Sequence, residues 1–315
     1  MSRAYLDHAS SAPLRPAALA AMLPFLEGHP GDPGRLHEEG RTTRVAVENA
    51  REQVAALFGA RPREVVFTAT AAESVNTAIW GAVERAREQG GGGHVVTTAV
   101  EHSAVLEACG RAPVELSVVG VDGVGRFTAD SVIDALRDDT TLVTIQLANH
   151  EVGTVQTAVP AIVAAARDRG VAVHVDASAA SGHLPVGFGA LGADLCSVDG
   201  HTWGAPKGAA ALLVRRGLRF PPFVVGGAQE RGGEPIEARV EGLQRPEGEG
   251  LLLAIEFQYA ARPEGEEGDL VPGLGEGRGH EDGLALGAAA AEVVLDDENF
   301  HCSAGGGGKS QAIIQ

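Results

Sequence analysis

The sequence predicts an α/β protein, a mostly parallel sheet sandwiched by helices, with an incomplete or altered C-terminal small domain. Three observations carry this. Continuous apolar runs alternate with amphipathic helical segments through residues 1–231. Buried parallel strands read as such runs, and their crossover helices cover both faces of the sheet. Polar residues recur at the carboxyl ends of those runs, where ligands of such sheets bind. After Arg231 the composition turns to Gly and Glu, as in RPEGEGLLL and GEGRGHEDG.

The elements follow in order. Arg44–Phe58 (RVAVENAREQVAALF) sets Val47, Ala50, Val54 and Leu57 on one helical face. Glu64–Thr68 (EVVFT) is a short buried strand. Asn76–Gln89 is a helix stopped by Gly90–Gly93, and His94–Thr98 (HVVTT) is the next strand. A helix over Ala129–Arg137 precedes the strand Thr141–Leu147 (TLVTIQL). A helix over Ala158–Arg169 precedes the strand Val171–Asp176 (VAVHVD). Asp194–Val198 and Ala210–Arg215 are two further strands. Beyond Arg231 only 251–261 (LLLAIEFQYAA) and 284–295 (LALGAAAAEVVL) have helical character, and the tail CSAGGGGKSQAIIQ reads as flexible. The division is therefore a domain over 1–231 and a Gly/Glu-rich, partly disordered segment over 232–315.

Composition narrows the partners. The 315 residues carry a formal charge of −17, which argues against nucleic acid and anionic membrane surfaces. No stretch reaches the ~20 apolar residues that span a bilayer, and MSRAYLDHASSAP lacks the apolar run of a signal peptide. A cytoplasmic location is expected. Cys109, Cys196 and Cys302 are too widely spaced for a metal site or a disulfide framework. Thr68, His102, His150, Asp176 and His201 each stand at or just beyond a strand end. One alone reads as a helix cap; five together predict a shared pocket.

Several segments, in order and spacing, resemble the cysteine desulfurases of aminotransferase class V. They are YLDHASSAPLRP (5–16), GDPGRLHEEG (31–40), FTATAAESVN (67–76), Glu101-His102, NHEVGTVQ (149–156), DASA (176–179), DLCSVDGHTWGAPKG (194–208) and GGAQE (226–230). The resemblance covers roughly residues 4–231. It implies the large domain of fold-type I pyridoxal phosphate (PLP) enzymes, a homodimer, L-cysteine as substrate, and PLP-dependent transfer of its sulfur to an enzyme thiol.

The residues can be compared with that chemistry one by one. PLP is an electron sink whose ring nitrogen needs a carboxylate partner; the resemblance assigns this to Asp176. His102 stands where the family stacks a flat group on the ring and relays protons. His150 replaces an Asn that touches the phenolic oxygen, and Ala179 replaces a Gln donor to the same atom. The phosphate is held at a helix N-terminus, here Thr70-Ala71-Ala72, without the family's Gly and Thr. Asp199 replaces a phosphate-binding Ser, and two unit charges ~4 Å apart repel by about 4 kcal/mol at an effective dielectric near 20. His201 offsets this in part. Thr202 stands where the family carries the lysine that forms the Schiff base and moves the α-proton, and it can do neither. Lys207 matches the family's other lysine.

Cys302, beside His301 in a Gly-rich context, is the candidate for the family's mobile persulfide thiol. No metal centre is expected, because in the family's geometry the His and Asp residues surround a ring. Two readings follow: a cysteine desulfurase-like protein with impaired or lost catalysis, or a non-catalytic member, whether pseudoenzyme, binding subunit or frameshifted product.

Overall fold

The computed structural model describes residues 4–224 and two strands over 291–296 and 299–304. The chain divides into two compact units, Met1–Arg262 and Pro263–Gln315. The first unit's described elements are helices α1 (Pro16–Glu27), α2 (Glu38–Leu57), α3 (Ala71–Glu88), α4 (Ser103–Arg111), α5 (Ala129–Asp134), α6 (Val159–Asp168) and α7 (Phe188–Leu191). Its strands are β1 (Val65–Thr68), β2 (His94–Thr98), β3 (Glu115–Val119), β4 (Thr140–Gln146), β5 (Ala172–Asp176), β6 (Leu195–Asp199) and β7 (Ala210–Val214).

The seven strands form one sheet in the order β1-β7-β6-β5-β4-β2-β3. The pairs β2–β3, β2–β4, β4–β5 and β5–β6 are parallel, and β7 runs antiparallel to both β6 and β1. The sheet is thus mostly parallel, as the apolar runs imply. The strands β4 to β7 bury nearly every residue, which explains their lack of polar alternation.

Two apolar layers flank the sheet. One gathers Val143, Ile145, Val173, Val175 and Cys196 with Val163 and Ala166 of α6. The other gathers Val95, Leu142, Leu195 and Leu212 with Val75, Ile79 and Val83 of α3. His174 is fully buried within β5, hydrogen-bonded to Thr144 at 2.8 Å and Ser197 at 2.9 Å. Burial pushes it down to about 4, so it serves as a neutral strut between three strands.

Register places the strand ends together. Gln146 pairs with Asp176, and Asp176 with Ser197. Ala210, the first residue of β7, is the partner of both Thr68 and Asp199. The short antiparallel β7 therefore sets the end of β1, from which α3 departs, level with the end of β6.

Helix α3 begins at Ala71, earlier than the Asn76 its apolar pattern suggests. The reason is a reciprocal cap. Thr70 Oγ1 accepts from Glu73 N–H at 3.1 Å, and Glu73 Oε2 accepts from Ala69 N–H at 2.8 Å.

In the second unit, β8 (Ala291–Asp296) and β9 (Asn299–Ala304) form an antiparallel hairpin, with Val293 opposite Cys302 and Val294 opposite His301. The helical expectation for 284–295 fails over 291–295. Adjacent Val293 and Val294 favour the extended backbone once a partner strand is present. The flexible reading of the tail likewise fails for 302–304, which belong to β9. The segment 251–261 lies outside the described residues.

Candidate active site

The site forms beyond the carboxyl ends of β1, β2, β4, β5 and β6. Its residues fall into two groups.

The first group lies past β2 and β4. Asn149 Nδ2 donates to Val100 O at 3.1 Å, tying the two loops together. The rings of His102 and His150 consequently meet edge to face, centroids 5.0 Å apart. His102 Nδ1 accepts from Ala104 N–H at 3.1 Å, which leaves Nε2 as the nitrogen that carries the ring proton. His150 is held below its usual value, first by burial and then by His102. Behind them Glu101 is 5% exposed, with Thr98 Oγ1 donating to its Oε1. Its Oε2 and the neighbouring Gln146 Nε2 have no hydrogen-bond partner. Burial, reinforced by the charge of Asp176, raises Glu101 to about 8, so this carboxyl is protonated at neutral pH.

Asp176 ends β5 and is 8% exposed. Its Oδ1 accepts from Ser178 N–H at 3.0 Å and from Ser178 Oγ at 2.6 Å. These bonds fix the carboxylate where it can accept a further proton donor, such as a protonated ring nitrogen.

The second group lies past β6. Asp199 is 4% exposed. Its Oδ1 accepts from His201 N–H at 2.8 Å and pairs with His201 Nδ1. Its Oδ2 accepts from Ala71 N–H at 3.0 Å, across 128 positions of sequence. The carboxylate thus occupies the amino end of the 18-residue helix α3, where backbone N–H groups and the helix dipole favour an anion. Among the neighbouring hydroxyls, Thr70 Oγ1 caps α3, and Thr68 Oγ1 bonds Ser74 Oγ at 2.7 Å.

Thr202 follows in the same loop, 7% exposed, its Oγ1 buried without a hydrogen-bond partner. Trp203 Nε1 donates to Asp199 O at 2.5 Å, and Gly200 N–H donates to Ala209 O at 3.1 Å. The ring of Trp203 packs on Gly182 (φ 75°), where an added Cβ would stand 2.2 Å from Trp203 Cγ. Gly182→Ala is therefore expected to destabilise the protein by about 2 kcal/mol or more. Urea denaturation measures this, and a loss below about 0.5 kcal/mol, the range of an ordinary surface change, would contradict this packing of the loop.

The structure thus brings Thr70, Ala71, Asp199, His201 and Thr202 together, and His102 with His150 near Asp176. Sequence reading missed the contact of Asp199 with Ala71; the Thr70-x-x-Glu73 signature was the available signal for where α3 starts. Cys302 lies on β9 of the other unit. Cys109 and Cys196 are buried, and burial raises both thiols, Cys109 to about 12, which leaves them inert. Among the described residues no group of three or more His, Cys, Asp or Glu is placed to hold a metal ion, and no helix is long and apolar enough to cross a membrane.

A mixed sheet of this order with its site at the strand ends is the architecture of NifS-like proteins. One solved NifS-like protein superposes with a TM-score of 0.73 at 29% identity, covering 82% of this chain and 70% of the other. SspA, solved in complex with cysteine, gives 0.72 at 31% identity over 82% of this chain and 73% of that one. The aminotransferase class-V family model matches residues 4–241, and the chain belongs to that family. Its curated relatives include the cysteine desulfurase IscS of Dictyoglomus turgidum, 38% identical over 257 residues (80% of this chain, 64% of that protein). Another is the cysteine desulfurase IscS of Methanosarcina thermophila, 37% identical over 230 residues, 72% of this chain and 56% of that protein. The chain therefore matches less than two thirds of the length of these two relatives.

Family members use PLP, and the residues present divide when tested against it. Asp176 and the imidazole pair suit a protonated heteroaromatic ring. The α3 end does not suit a phosphate: its Ala71 N–H is already bonded to a carboxylate, and that carboxylate repels a dianion. Nor is there a buried lysine among the described residues. The chain has two lysines, Lys207 and Lys309. Lys207 is exposed, and Lys309 lies outside the described residues.

Proposed function

We propose that this chain is a cysteine desulfurase-like member of its family that has lost the PLP-dependent removal of sulfur from L-cysteine and persists as a non-catalytic form. The observation that carries this is Thr202. It sits buried on the loop after β6 with an unpartnered hydroxyl, and the motif resemblance assigns its position to the family's cofactor lysine. A threonine hydroxyl forms no imine and is too weak a base to take an α-proton. The Asp199 carboxylate on α3 supports the same reading, because it removes a phosphate donor independently of the lysine. Asp176, His102 and His150 support a retained ability to contact a flat ring. The homodimer implied by the family belongs to this proposal as well.

The test is direct. Purified protein incubated with PLP, L-cysteine and a thiol is expected to stay colourless and release no sulfide above a protein-free control. Sulfide release at a rate proportional to protein concentration would overturn the proposal.

A further inference from the structure

We infer that Asp199 sets the ligand class of this site: its carboxylate plugs the amino end of α3 and restricts the pocket to ligands that bring no phosphate group there. This deepens the reading above and rests on it for the identity of the pocket.

The plug is built from both sides. On the α3 side, Ala71 N–H is committed to Asp199 Oδ2 at 3.0 Å. Thr70 Oγ1 is committed to the cap, and Ala69 N–H to Glu73 Oε2 at 2.8 Å. On the loop side, Asp199 cannot swing away. His201 holds Oδ1 through its backbone N–H and its ring, and Trp203 Nε1 holds the Asp199 carbonyl. Trp203 N–H and Ala205 N–H both return to Gly200 O, at 3.2 and 3.0 Å. The side chain is 5% exposed, so a competing anion would have to displace it from a closed contact rather than join it.

An anion at a helix N-terminus is stabilised by the backbone N–H groups and the dipole. Here that stabilisation is already taken by a group of the same chain. A phosphate would meet a like charge and one donor fewer. A ligand with the same ring but no phosphate meets neither penalty, and it still finds Asp176 and the His102–His150 pair. Thr202 Oγ1, three residues along the same loop, is buried and unpartnered.

The test uses three probes: inorganic phosphate, PLP and unphosphorylated pyridoxal. They are titrated by calorimetry into the full chain and its Asp199→Ser variant. The wild-type protein is expected to bind no phosphate. Asp199→Ser, with the short hydroxyl replacing the carboxylate, is expected to bind phosphate measurably and to bind PLP at least about tenfold more tightly than wild type, while its affinity for pyridoxal changes less than about twofold. If Asp199→Ser is not folded by near-ultraviolet circular dichroism, Asp199→Asn keeps the reach and removes the charge, and the same direction of change is required of it. Wild-type phosphate binding equal to the variant's, a folded variant without the gain, or an equal gain for pyridoxal would each overturn the inference. So would a phosphate-induced shift of the wild-type Ala71 amide resonance. Phosphate binding reads the α3 end without requiring catalysis, whereas sulfide release requires both a bound cofactor and an amine, so the phosphate titration can fail while the loss of sulfide release still stands.

Discussion

The double variant Thr202→Lys with Asp199→Ser is expected to turn yellow with PLP and to gain affinity for it by at least about a hundredfold, whereas neither single variant does. The two positions are coupled. Thr202→Lys alone places an ammonium three residues from Asp199 in a buried loop. The carboxylate pairs with it, which keeps the amine protonated and non-nucleophilic, and α3 stays plugged. Asp199→Ser alone opens α3 but supplies no amine. The two changes share one partner, so their effects are strongly non-additive. Visible absorption across a PLP titration, followed by borohydride reduction and mapping of the adduct to position 202, reads the outcome. A Thr202→Lys single variant as effective as the double would show that Asp199 blocks nothing. A folded, colourless double variant would show that Ala72 and Ala179 also matter.

Glu101 carries the second large effect. Its carboxyl, at about 8 in the folded protein, lies well above its value in an unfolded chain, near 4.5. The native state thus holds a proton that the unfolded state has released between those two pH values. Stability from this group is complete below the unfolded value and falls as pH rises through the folded one. At about 1.4 kcal/mol per unit, the loss is of order 4 kcal/mol between pH 4.5 and 8. Glu101→Gln keeps an acceptor for Thr98 and cannot ionise, so its stability should lack this decline. The buried histidines act in the opposite sense. His94, His150, His174 and His183 are held below their usual values, chiefly by burial, so their contribution is lost as pH falls. The difference between wild type and variant isolates Glu101 from them. Urea denaturation at intervals from pH 5 to 8.5 measures it. Parallel stability curves for the two proteins would contradict a protonated Glu101.

The sheet was legible because its inner strands are buried on both faces. Unbroken runs such as TLVTIQL and VAVHVD have no other easy explanation in a chain of this length. The edge strand β3 escaped notice because Glu115 and Val118 face outward, so its pattern resembles a loop. Helix α1 escaped because Pro24 interrupts an otherwise apolar segment. The hairpin at 291–304 reversed a helical reading because strand pairing, a non-local contact, decided against local alanine content. Within the site, the residue types were visible from the motifs, including Asp199 and Thr202. What could not be read was the distance of Asp199 from Ala71. That contact exists only because the antiparallel β7 aligns the ends of β1 and β6, which a string of residues does not display.

The proposed loss of function requires that no side chain of this protein attach PLP at this site. Its most direct test is borohydride reduction of the wild-type protein after incubation with stoichiometric PLP, followed by intact and peptide mass measurement. An unmodified chain is expected. A stoichiometric PLP adduct on Lys207 or Lys309 would contradict it.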